Sequence, residues 1–269
     1  MAAGSSNLLS VPLELGGDWA GSLPPSVLAV LKRAREACLT GVQLVSDRQP
    51  DRLHIDDHSS GSPSIWLHFD NSRIGWIIVD VGERDWSRLA YQFGHELGHV
   101  LCNSWDSASK PQPPSQWLEE SLVEAFSIRG LGRLASSWES DPPFTGDNAF
   151  GAAIRQYQKN VIDGYAKAVD RKSYTDLAGW FREARTNLER RGMGLNPMEG
   201  PAILAIQSEL EKDDAYVADM GALNRWPQRS AVPIEEYLAL WETSCKELHA
   251  PGRLPGRLRG LLGIRRNHT

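Results

Sequence analysis

The 269-residue sequence has few cysteines, no long apolar run and little excess of either charge, and each shortage excludes a class of protein. The three cysteines, Cys38, Cys102 and Cys245, are far apart, which is typical of buried thiols in a reducing compartment rather than of a disulfide framework. No stretch approaches the roughly 18 apolar residues of a membrane span. The formal net charge of −5 argues against nucleic-acid binding. Since residues 1–7 also lack a signal-peptide pattern, we expect a cytoplasmic globular protein.

The most informative pattern is His-Glu-Leu-Gly-His, which begins at His95 within a stretch of apolar residues at helical spacing. Side chains four residues apart share one face of an α-helix, so His95 and His99 can both bind one metal ion. Glu96 is then close enough to accept a proton from a metal-bound water molecule. Asp85 or Ser87 is predicted to cap the start of this helix. The pattern predicts a two-histidine metal site with a general base beside it.

A second segment, residues 116–126, supplies candidates for a third ligand. Hydrolytic zinc sites usually combine three protein ligands with one open position for water. Glu120 and Glu124 are one turn apart on a predicted helix rich in apolar residues, where an unpaired carboxylate is costly. That cost is relieved if one of these carboxylates is the third ligand and a second carboxylate orients one of the histidines. Glu119 remains an alternative to Glu120, because adjacent residues differ by about 100° around a helix.

Together the two segments resemble the gluzincins, the thermolysin-like and aminopeptidase-like zinc peptidases, over residues 73–130. The resemblance implies that the two histidines and Glu120 bind one Zn²⁺ ion, that Glu96 is the general base and that Glu124 supports a ligand histidine. The expected activity is hydrolysis of peptide bonds, with a peptide or protein as substrate. The expected fold is zincin-like, with the metal in a cleft.

A gluzincin also needs a tyrosine or histidine that stabilises the oxyanion. Tyr157 and Tyr165, on the first long helix predicted after the ligand helix, are candidates, although most buried aromatic residues only contribute core area. The alternative function is a catalytically inactive zincin-like scaffold that binds a protein partner. Glu96 argues against the scaffold, because a scaffold has no physical need for a carboxylate beside the metal.

Strand patterns precede the zinc helix and helix patterns follow it, which predicts an α+β fold. Residues 1–102 are predicted to form an N-terminal lobe of a small mixed sheet with helices, ending in the zinc helix. Residues 103–250 are predicted to form a mainly helical lobe that contributes the third ligand. The arginine-rich segment 251–269 is predicted to be a flexible basic tail.

Alternating apolar residues predict four short strands, at 41–45, 53–55, 65–69 and 74–79. Start and stop signals predict further helices at 25–38, 149–171, 175–191, 201–212 and 233–248.

Overall fold

The computed structural model describes residues 8–43, 46, 48–58, 62–66, 73–81, 85–104, 109–168, 174, 176–191, 194–223 and 228–265. These residues form a small mixed sheet and a larger set of helices, which confirms the predicted α+β class. The strands are β1 (Leu13–Gly17), β2 (Arg52–Asp57), β3 (Ser64–Ile65) and β4 (Ile74–Val79). The helices are α1 (Pro24–Leu39), α2 (Trp86–Leu101), α3 (Gln116–Ser140), α4 (Phe150–Ala168), α5 (Leu177–Arg190), α6 (Gly200–Leu210), α7 (Asp214–Met220), α8 (Ile234–Leu248) and α9 (Leu254–Leu261).

The sheet has the strand order β1-β2-β4-β3. Strands β1, β2 and β4 are parallel, whereas β3 pairs with β4 in the antiparallel sense, with Ser64 opposite Ile78 and Ile65 opposite Ile77. Strand β3 is therefore an edge strand among the residues that the structure describes. The buried side chains of β2 and β4 belong to the same apolar core as α1, α2 and α3. The sheet thus supports α2 from one side, and its antiparallel edge lies beside that helix.

The predicted strand positions are partly right. Strands β2 and β4 form close to the predicted 53–55 and 74–79, and β3 begins near the predicted 65–69, of which residues 67–69 lie outside the described part. Residues 41–43 are not a strand, and 44–45 lie outside the described residues. Strand β1 was not predicted, because its Gly16-Gly17 end is typical of irregular backbone. It forms because its backbone pairs with β2, which the local sequence does not reveal.

The helix predictions agree with α1, α4, α5, α6 and α8 to within a few residues at each end. Asp85, one of the two residues predicted to cap α2, is its cap, and its side chain accepts a hydrogen bond of 3.1 Å from the backbone N–H of Arg88. None of the helices formed by the described residues combines the length and the apolarity that crossing a bilayer requires. All three cysteines are buried and free, as expected.

The structure differs from the expected flexible tail at 251–269, because part of that segment forms α9. Leu254 and Leu258 on one face of α9 are buried in the core. Three of the arginines form ion pairs within the chain, namely Arg253 with Asp213, Arg257 with Glu209 and Arg259 with Glu242. The basic composition therefore neutralises acidic side chains of the same protein. Residues 266–269 lie outside the described part.

Candidate metal centre

Helices α2 and α3 pack closely, and two glycines of α2 allow this. A Cβ atom at Gly98 would lie 2.8 Å from Cβ of Val123, and one at Gly94 would lie 3.0 Å from Oγ of Ser127. Any larger residue at Gly98 would therefore push α3 away. This close approach brings the glutamates of α3 within reach of the histidines of α2.

Three side chains converge at the contact between these helices. Nε2 of His95 lies 3.5 Å from Oε2 of Glu120, and Nε2 of His99 lies 3.6 Å from the same oxygen. The three atoms are within 4.8 Å of one another, and all three residues are buried. Among the described residues, this is the group of histidine, cysteine and acidic side chains whose spacing suits a shared metal ion.

The other ring nitrogen of His95 contacts a second carboxylate. Nδ1 of His95 lies 2.9 Å from Oε2 of Glu124, which is fully buried. The opposite oxygen of Glu124 accepts hydrogen bonds from the hydroxyls of Tyr91, at 2.6 Å, and Tyr165, at 2.9 Å. Glu124 thus fixes the ring so that Nε2 faces Glu120.

His99 has a separate carboxylate partner. Its Nδ1 lies 2.9 Å from Oε1 of Glu119, and the hydroxyl of Ser104 donates to that same oxygen. The other oxygen of Glu119 accepts hydrogen bonds from Nε and Nη2 of Arg229, at 3.1 and 2.5 Å. Glu119 therefore orients His99, while Glu120 faces the two Nε2 atoms.

The electrostatics of this centre favour a bound cation. Burial alone would raise the pKa of Glu120, but the two histidines outweigh it and hold that pKa well below its usual range. Burial alone would lower the pKa of His99, but Glu120 and Glu119 raise it to about 10. The buried carboxylates nearby need a compensating positive charge, and a divalent metal ion would supply it. Two imidazole nitrogens and one carboxylate oxygen are a donor set that fits such an ion.

Glu96, the expected general base, lies in α2 between the two histidines. Its side chain is 3% exposed, and burial raises the pKa of its carboxyl group. It lines a cavity of about 600 Å³ that also reaches His95, His99 and Glu120. The rest of the cavity wall comes from four parts of the chain. They are the region of β3 (Ser62, Pro63, Ser64 and Ile65), helix α2 (Tyr91 and Gln92), the segment between α2 and α3 (Ser104 and Pro111) and the segment before α6 (Gly194 and Leu195).

The chain matches no family model, no curated protein and no solved structure.

The two candidate tyrosines occupy different positions. The hydroxyl of Tyr165 donates a hydrogen bond to Glu124, so Glu124 lies between this hydroxyl and His95. The ring of Tyr157 packs against Tyr91, with centroids 5.7 Å apart, and Tyr157 is not among the described residues that line the cavity. Of the two, Tyr165 belongs to the hydrogen-bond network of the centre.

Two buried residues near the centre, Arg229 and Glu199, had no role assigned to them from the sequence. Arg229 is separated from Glu119 by 110 residues, and no local pattern could have connected them. Glu199 follows a methionine in the turn before α6 and is 2% exposed. Burial and the charge of Glu120 raise the pKa of Glu199 to about 8.

Proposed function

We propose that this chain is a zinc-dependent peptidase with a zincin-like arrangement of sheet, helices and metal centre. The observation that carries the proposal is the convergence of Nε2 of His95, Nε2 of His99 and Oε2 of Glu120 at the wall of a cavity. Glu96 lines the same cavity. A metal held by two histidines and one carboxylate, with a further carboxylate beside it, is typical of zinc hydrolases.

The side chains have separate tasks in this proposal. His95, His99 and Glu120 would hold the zinc ion, which when bound acidifies a water molecule and polarises a substrate carbonyl. Glu96 accepts a proton from the attacking water and then donates it to the departing amine. Glu124 and Glu119 hold the imidazoles so that both Nε2 lone pairs face the metal position.

The cavity suits an extended peptide. Strand β3 is an edge strand of the described sheet, and its Ser64 and Ile65 line the cavity together with the candidate ligands. A peptide that pairs with an exposed strand edge gains main-chain hydrogen bonds whatever its sequence. Ile65 and Leu195 contribute apolar surface for a substrate side chain. A peptide held in this way would lie in the same cavity as Glu96.

The test is cleavage of a peptide library by the purified full chain, followed by mass spectrometry of the products. We expect cleavage that stops when a chelator removes the metal and returns when zinc is added back. An absence of cleavage by zinc-loaded protein would favour the scaffold that binds a partner without hydrolysis.

The zinc affinity of the metal-free protein should rise with pH. The raised pKa of His99, about 10, means that the metal-free ring carries a proton at neutral pH, and zinc must displace it. Affinity is therefore lost as the pH falls, by up to about tenfold per pH unit for each displaced proton. Competition titrations at about pH 6 and about pH 8 measure this change. The same affinity at both values would contradict it.

A further inference from the structure

We infer that Arg229 is a positioning residue of the metal centre, acting on His99 through Glu119. The inference rests on the proposed function, since it concerns how strongly the chain holds its metal. Arg229 lies in a short 3₁₀ turn, Arg229–Ala231, far along the chain from both metal-site helices. Through Arg229, the C-terminal part of the chain would help to orient a metal ligand.

The contacts of Arg229 are specific and fully buried. Its side chain is 1% exposed, as is that of Glu119. Nε and Nη2 both donate to Oε2 of Glu119, and Nη2 also donates to Oγ of Ser104 at 2.8 Å. Ser104 in turn donates to Oε1 of Glu119, the oxygen that contacts Nδ1 of His99. Both oxygens of Glu119 are thereby held, Oε2 by the forked donors of the guanidinium and Oε1 by Ser104, which the guanidinium also contacts.

The turn that carries Arg229 is itself tied to the start of α3. The backbone N–H of Ser115 donates to the carbonyl of Ser230 at 3.0 Å, and the Ser115 hydroxyl donates to the carbonyl of Val232 at 2.6 Å. The backbone N–H of Gln112 donates to Oγ of Ser230 at 2.9 Å. These bonds keep Arg229 at one position relative to the first turn of α3, which contains Glu119.

The two ligand histidines are consequently supported by different means. Glu124, the partner of His95, is held by two neutral tyrosine hydroxyls. Glu119, the partner of His99, is held by a cation. Without Arg229, Glu119 would lose two charge-assisted bonds in a buried position and could rotate away from His99. The ring of His99 would then no longer be fixed with Nε2 toward Glu120.

A merely structural ion pair would behave differently, and Arg129 offers the comparison. Arg129 is also fully buried; it donates to the carbonyls of Leu210 and Cys38 and pairs with Asp214. It lies ten residues after Glu119 on α3, about 15 Å along the helix axis. Within the described part of the chain, these partners of Arg129 include none of the candidate ligands and none of the carboxylates that orient them. Loss of Arg129 should therefore cost stability without changing the metal site.

The experiment compares Arg229→Met with Arg129→Met in the full chain. The zinc Kd of each metal-free protein is measured by competition with a chromophoric chelator, and the visible spectrum is recorded after loading with cobalt(II). We expect Arg229→Met to weaken zinc binding roughly 10- to 100-fold and to change the cobalt spectrum. We expect Arg129→Met to lower the Tm while leaving both the Kd and the spectrum at their wild-type values.

Arg229→Lys serves if Arg229→Met does not fold. A lysine keeps the charge but cannot make the forked contact, so we expect zinc binding about tenfold weaker than in the wild type. A wild-type Kd in a folded Arg229 variant, or an equal loss in Arg129→Met, would overturn the inference and leave the proposed peptidase intact. A wild-type protein that binds no zinc would overturn both.

Discussion

Glu96→Gln is expected to slow peptide hydrolysis by about 10² to 10⁴ while leaving the metal bound. The substitution preserves the shape of the side chain but removes its ability to accept a proton, and a positioned general base typically contributes about 10² to 10⁴ in rate. Glu96 is not part of the three-residue group whose atoms converge, so the zinc content should equal that of the wild type. The measurements are kcat on a cleaved library peptide and zinc per chain.

The control for Glu96→Gln is Glu139→Gln, the same change at a half-exposed position of α3 where Glu139 pairs with Arg155. This control should retain full activity. A Glu96→Gln protein as active as the wild type would show that Glu96 is not the general base. Metal binding without hydrolysis in the wild type would instead leave the inactive scaffold as the better description.

The second large effect is expected for Glu120→Ala, which should lose tight zinc binding. Oε2 of Glu120 is the atom that both Nε2 atoms face, so the variant leaves a two-histidine site with no carboxylate ligand. Loss of a direct ligand should exceed the roughly 10- to 100-fold loss that follows removal of an outer residue. Competition titration of the metal-free proteins measures the affinity.

Glu124→Gln provides the matched comparison one helical turn away on the same helix. The amide oxygen of the glutamine can still accept a hydrogen bond from Nδ1 of His95. Zinc binding should therefore persist, weakened by about 100-fold at most. The zinc Kd is therefore expected to be lowest for the wild type, higher for Glu124→Gln and highest for Glu120→Ala. A Glu120→Ala protein that binds zinc as tightly as Glu124→Gln would show that Glu120 is not a ligand.

The part of this site that depends on local spacing could be predicted from the sequence. His95 and His99 share a face because they are four residues apart on one helix, and Glu120 and Glu124 do so for the same reason. The α+β class also follows from strand patterns that precede helix patterns. These features need only the periodicity of a single element.

The features that depend on how elements pack could not be predicted. Whether Glu119 or Glu120 faces the two Nε2 atoms is decided by the crossing of α2 and α3, which Gly94 and Gly98 permit at short distance. Arg229 reaches Glu119 across 110 residues of sequence. Strand β1 forms because it pairs with β2, although glycine is uncommon in strands and β1 contains two glycines.

The arginine-rich C-terminal segment illustrates the same limit. Its composition alone is typical of a solvated basic arm. In the folded chain, Arg257 contacts both oxygens of Glu209, and Leu254 and Leu258 are buried. The acidic partners lie on other helices or at the start of one, so only the tertiary structure reveals that these charges are neutralised.

Elemental analysis of zinc in the purified wild-type chain tests the metal centre on which both proposals depend. We expect about one zinc ion per chain, removed by a chelator and restored when zinc is added back, since three converging protein ligands form one site. A wild-type protein that holds no zinc, even after zinc is supplied, would contradict the metal centre and with it the proposed peptidase.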